Sequence, residues 1–141
     1  MTPARPLSVL FVCTLNAVRS PMAEAIARKY YGRHMRIESA GLRAGETDGF
    51  AMAVMNEISL DITRHWPRTF EELEDIDFEL VIALSAAARR KAEAFFLDSG
   101  AAIEFWPTDD ATMIEGTRDQ RLEAFREVRD SLLARVRQRF G

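Results

Sequence analysis

The stretch VLFVCTLNAVRSPMAEA, residues 9–25, sets an apolar run without polar alternation against a short loop and then a helical pattern. Leu7 to Val12 is rich in β-branched and aromatic side chains, which predicts a strand buried on both faces. Beyond the loop, Ser20 is placed to cap a helix and Pro21 to occupy its first position, where a missing N–H costs nothing. Met22, Ala25, Ile26, Lys29 and Tyr30 then recur at helical spacing, and Gly32 ends the helix. Between strand and helix sits Cys13, the only cysteine of the chain, with Arg19 six positions later.

Working outward, Arg36–Ser39 reads as a second strand. Gly41, Gly45 and Gly49 fall in a polar turn and read as loop flexibility. Phe50–Ile58 reads as a helix, Leu80–Leu84 as a buried strand, and Ser85 as the cap of a helix over Ala86–Phe96. Ile103–Trp106 is a short fourth strand. Arg118–Phe140 is the longest helix, with Leu122, Phe125, Val128, Leu132 and Val136 as its apolar stripe. Strand–helix alternation repeated four times predicts an α/β domain, a four-stranded parallel sheet with helices on both faces. The 141 residues fit one domain, residues 1–141.

Charge and cysteine content narrow the function. Net charge is −3, so no global basic field points to nucleic acid. No apolar run reaches the roughly 18 residues of a membrane span, and Leu7–Cys13 is too short for a signal-peptide core. One cysteine forms no internal disulfide, which suits a reducing, cytoplasmic setting. No His/Cys/Asp group has metal-ligand spacing, so neither a metal nor another cofactor is expected. His34 and His65 are the only histidines. A Cys–His hydrolase pairing Cys13 with His65 would leave Arg19 without a task.

A lone buried cysteine is an ordinary core residue. Cys-x5-Arg-Ser-Pro at the carboxyl end of a strand is more specific, because open α/β sheets bind ligands there. Backbone N–H groups of residues 14–19 can converge on one anion, and the helix dipole adds positive charge. Arg19 can contribute two parallel donors to a tetrahedral oxyanion such as phosphate. The same field favours thiolate over thiol at Cys13. The pattern therefore describes a phosphate cradle with a nucleophile at its floor, able to form a phosphocysteine that water then hydrolyses.

Cys13-Thr14-Leu15-Asn16-Ala17-Val18-Arg19-Ser20 resembles the signature loop of the low-molecular-weight protein tyrosine phosphatase superfamily, which includes the thiol-dependent arsenate reductases. Met22-Ala23-Glu24-Ala25, Ser39-Ala40-Gly41, the segment around Trp106 and Phe125-Arg126-Glu127-Val128-Arg129-Asp130 extend the resemblance along the chain. It implies a three-layer αβα fold, the phosphotyrosine phosphatase I-like architecture. It also implies that Cys13 is the nucleophile and Arg19 the oxyanion clamp, with Thr14, Leu15, Asn16, Ala17, Val18 and Ser20 around the substrate. Asn16 would hold the loop's strained shape, since asparagine tolerates a left-handed backbone. Ser20 would favour the thiolate, and Ser39 would buttress Asn16. The proton donor to the leaving group falls at Asp110, with Asp109 as the fallback.

The chain departs from the family pattern in several places. Ala111 stands where the family has proline after the acid. The aromatic residues that follow it in tyrosine phosphatases are missing, leaving Trp66 or Phe50 to supply a ring from another loop. Leu15 replaces a common glycine. Val18 replaces the second loop cysteine, so neither an intraloop disulfide nor an intrachain disulfide relay can form. The expectation is a phosphomonoester hydrolase acting on a phosphorylated protein or a small aryl phosphate, a monomer or weak homodimer without nucleic-acid or membrane partners. Two alternatives stand beside it: an arsenate reductase that draws on an external small thiol, and a phosphate- or phosphoprotein-binding domain with little turnover. Arg64, Arg68, Arg89 and Arg90 either line the substrate's approach or form a solvated face.

Overall fold

The computed structural model describes residues 5–141. Strand β1 (Ser8–Cys13) is wholly buried, as its unbroken apolar run requires. Helix α1 (Arg19–Tyr31) follows, then β2 (Arg36–Gly41), α2 (Gly49–Asn56), β3 (Leu80–Ala83), α3 (Ala86–Phe95), β4 (Ala102–Phe105) and α4 (Arg118–Phe140). All pairings are parallel and the order is β2-β1-β3-β4. The α/β class, the parallel sheet and the helices on both faces stand as the sequence predicts.

Alternation along the strands divides the core. Val9 and Phe11 face one side with Ile37, Leu80 and Ile82, where they pack on α1, α2 and α4. Leu10 and Val12 face the other with Ala40, Val81 and Ala83, against α3 and the buried Phe70, Leu73 and Phe96. The chain leaves β1 for β2 on one side and later fills β3 on the other. That reversal opens a crevice at the carboxyl end of β1, where Cys13 sits.

Local differences from the pattern have physical reasons. Ser20 does not cap α1: the helix starts at Arg19, and the N-cap, Val18, makes no side-chain cap bond. Pro21 still lies in the first turn, where N–H groups lack helical partners. The buried face of α1 runs through Met22, Ala23, Ile26 and Ala27, whereas Tyr30 is exposed. Gly41 is not a flexible turn residue. It ends β2, and a Cβ there would lie 2.7 Å from the Asn16 nitrogen, so only glycine admits this approach. Asp48 caps α2 through the N–H groups of Phe50 and Ala51, and Ser85 caps α3 as predicted. Where the pattern predicts no element before β3, a one-turn 3-10 helix at Glu71–Leu73 and a bridge between Gly41 and Thr69 close the lower face.

Candidate active site

The loop after β1 is held from outside by its carbonyls. Those of Cys13, Thr14, Leu15 and Ala17 accept the N–H groups of Leu42, Arg43, Gly45 and Asp48, at 3.2, 3.0, 2.9 and 3.1 Å. Fixing the carbonyls outward turns the peptide N–H groups inward. Among the described residues, no acceptor takes the N–H of residues 14–19. Backbone donors left unpaired by the protein are rare, and a loop of them at a helix N-terminus is an anion site.

Asn16 gives the loop its shape, with φ of 53°, and its buried side chain spends every polar atom. Nδ2 donates to Ser20 Oγ (2.8 Å) and Ser39 Oγ (2.9 Å). Oδ1 accepts from the Arg68 backbone N–H (2.9 Å) and from His65 Nε2 (3.0 Å). Ser39 passes its own proton to Glu24 Oε1, and Arg28 holds the other carboxylate oxygen at 2.8 Å. His65 Nε2 faces two acceptors on Asn16, so it carries the ring proton; Nδ1 stands 3.6 Å from Glu24. Burial pushes the His65 pKa below its ordinary value, against the opposing pull of Glu24 and the Asn16 carbonyl.

This network ends at the thiol. Cys13 Sγ lies 2.8 Å from Ser20 Oγ. The hydroxyl already accepts from Asn16, and its alternative acceptor, the Ala40 carbonyl, is 3.5 Å away. Ser20 Oγ is thus within hydrogen-bonding reach of both the sulfur and the Ala40 carbonyl, and either Cys13 or Ser20 can supply the proton between them. Cys13 is only 2% exposed, yet it lines a cavity of about 400 Å³ together with Arg19 and Asp110. Thr14, Leu15, Ala17 and Val18 line the same cavity. Asn16 and Ser20, also expected around the substrate, lie beneath the loop and act on it from below.

Arg19 is anchored by one bond, from Nη1 to the Thr108 carbonyl at 3.1 Å. Asp110 reaches the cavity from the opposite wall. One of its oxygens, Oδ1, accepts from the Thr112 N–H and hydroxyl, at 3.0 and 2.6 Å, which leaves Oδ2 without a partner among the described residues. Asp109 lines only a neighbouring groove. The mouth carries Leu15, Met113, Arg43 and Glu46 and no aromatic ring. Trp66 is 78% exposed and Phe50 packs against Phe125 and Arg121; neither ring lines the cavity, so neither replaces the missing rings.

The His65 imidazole serves Asn16 rather than the thiol, so a Cys13–His65 dyad is not built. Sequence reasoning missed Glu24 and His65 as supports of the loop, along with the backbone of residues 42–48. Glu24 could have been found: a carboxylate four residues after Ser20, on an apolar helix face, must have partners. Of the four arginines considered for the approach, Arg68 holds Glu38 and Arg89 holds Glu93; none lines the cavity. Among the described residues, no group of three or more His, Cys, Asp or Glu could hold a metal ion, and no helix is long and apolar enough to cross a membrane.

The family model described as low molecular weight phosphotyrosine protein phosphatase matches residues 8–140. An arsenate reductase of Halalkalibacterium halodurans is 32% identical over 129 residues, covering 92% of this chain and 91% of that one. A solved arsenate reductase in a phosphate-binding state superposes with a TM-score of 0.76 at 28% identity, over 93% of this chain and 94% of its own. The tyrosine phosphatase amsI of Erwinia amylovora shares the fold, with a TM-score of 0.78 at 20% identity over 94% and 90% of the two chains.

Proposed function

Because the chain belongs to the low molecular weight phosphotyrosine protein phosphatase family, we propose that it hydrolyses phosphomonoesters through a phosphocysteine on Cys13, with phosphotyrosine or a small aryl phosphate as substrate. The observation that carries this reading is the set of unpaired loop amides beside a thiol held 2.8 Å from the Ser20 hydroxyl. The amides and Arg19 hold the three non-bridging phosphate oxygens. Cys13 thiolate attacks phosphorus in line, the S–P bond forms and the P–O bond breaks. Asp110 gives its proton to the departing oxygen. Water then attacks the phosphocysteine while Asp110 takes up a proton, releasing phosphate and restoring the thiolate.

Binding strengthens as charge grows on the equatorial oxygens, so the preset donors favour the transition state over the ground state. Leu15 does not obstruct the cradle, because the cradle is built from backbone N–H groups. Its side chain is 41% exposed at the mouth.

A second reading rests on the 32% identity to an arsenate reductase. Arsenate has the tetrahedral geometry the loop accepts. With Cys13 as the only cysteine, its reduction would require an external small thiol: arsenic(V) gains two electrons to become arsenic(III), and two thiols become one disulfide. An assay panel separates the readings. Hydrolysis of p-nitrophenyl phosphate that disappears in Cys13→Ser supports the phosphatase. Thiol-dependent arsenate reduction without such hydrolysis replaces it with the reductase. Phosphate binding with neither activity leaves a binding domain.

A further inference from the structure

Beyond the loop that carries Asp110 the surface dips again. A groove of about 400 Å³ opens between that loop and α4, and it shares Asp110 and Met113 with the Cys13 cavity. Its floor is apolar, formed by Ala111 and Val128, both buried, with Ala124 beside them. Its rim is acidic, with Asp109 and Glu127 joining Asp110, and no arginine or lysine lines it. Elsewhere Glu38, Glu57 and Glu104 each hold an arginine. Asp109 and Glu127 have no hydrogen bond or ion pair among the described residues.

We propose that this groove receives the lysine or arginine side chain of a residue flanking the phosphorylated one in a peptide substrate. The inference rests on the phosphatase reading of the adjoining cavity. A long basic side chain suits both surfaces at once, laying its aliphatic stem on the apolar floor and its charge at the acidic rim. An extended peptide advances about 3.3 Å per residue, so a residue one or two positions from the phosphate reaches across a single loop. The phosphate is then read by Arg19 and the loop amides, and the sequence around it by α4.

The test uses three phosphotyrosine peptides, one with alanine on both sides and two with arginine two residues from the phosphotyrosine, before it in one and after it in the other. Dissociation constants are measured with Cys13→Ser, and kcat/KM with the unaltered protein. An arginine peptide is expected to bind and turn over roughly two- to fivefold better at low salt, an advantage that shrinks as salt screens it. Glu127→Lys should abolish or reverse the preference and Glu127→Gln should halve it, both leaving p-nitrophenyl phosphate hydrolysis unchanged. Equal affinities for the peptides, a preference for acidic flanks, or a preference that survives Glu127→Lys overturns the groove assignment. If the unaltered protein leaves p-nitrophenyl phosphate intact, the phosphatase reading falls instead, and the ratio of dissociation constants still decides the groove.

Discussion

The two loops that face each other across the cavity are built on opposite principles. The loop of residues 13–20 is over-determined: four carbonyls are tied outward by the chain before α2, and Asn16 is fixed by its four side-chain hydrogen bonds. The loop of residues 107–114 is tied at its start by the Thr108 N–H to Leu84 and by Arg19, and the hydrogen bonds of its tip close on the loop itself, from Thr112 to the Asp110 side chain and from the Met113 and Ile114 N–H groups to the Asp110 and Ala111 carbonyls. Met113 there is 75% exposed. A cradle for charge gains from rigidity, since its dipoles need no reorganisation during reaction. A proton donor must admit substrate and release product, and a lightly tied loop does that. The proline absent at Ala111 removes one more constraint from the looser partner, although the Ala111 side chain is itself packed at 2% exposure.

The largest break in this comparison is at the rigid loop's floor. Cys13→Ser is expected to lower p-nitrophenyl phosphate turnover by on the order of 10⁴–10⁶, with little change in thermal stability. Across the cavity, Asp110→Asn should cost about 10²–10⁴ in kcat for aryl phosphates, whereas Asp109→Asn should stay within a few-fold. A larger loss for Asp109 would transfer the donor role to it.

Stability should divide the loops in the same way. Glu24→Ala leaves the buried Ser39 hydroxyl without its acceptor while Arg28 keeps Ile37 and Glu38, with an expected cost of about 1–3 kcal/mol, read as a fall in Tm of about 2–4 °C for each kcal/mol. Thr112→Ala in the acid loop should cost under about 1 kcal/mol by the same measurement. A comparable fall in both would erase the contrast.

The smaller effects depend on pH. His65 has a pKa below its unfolded value, so the unfolded chain binds more protons in the window below about 6.5 and stability declines as pH falls through it. His65→Gln should flatten that part of a pH–Tm curve. At lower pH, the Glu57 carboxyl is held near 2 by hydrogen bonds from Arg126 and then Arg129. Its contribution is present above its usual value of 4.5 and is lost as pH falls toward 2. Being exposed, it gives the shallowest step.

What the sequence made legible follows the physics of locality. β1, α4 and the Ser85 cap could be read because each depends on a run or a neighbour a few residues away. Cys13, Arg19 and Ser20 could be read because one strand–loop–helix unit contains them. His65 and the amides of 42–48 could not, since they meet the loop through sheet pairing and a crossover that no local pattern encodes; Glu24 stood out only as a carboxylate on an apolar helix face, without its partner Ser39. Ser20 shows the limit within the unit itself: its position suits a helix cap, yet the thiol and Asn16 claim its hydroxyl. Gly41 was hidden likewise, because its need for a bare Cα comes from a chain segment 25 residues earlier in sequence.

The central claim is tested most directly by stopping p-nitrophenyl phosphate turnover with acid during the first cycle and mapping the bound phosphoryl group by mass spectrometry. The account predicts a phosphoryl group on the sulfur of Cys13, accumulating with the burst of p-nitrophenol. Product release with Cys13 unmodified at every time point, or a phosphoryl group on another residue, would contradict it.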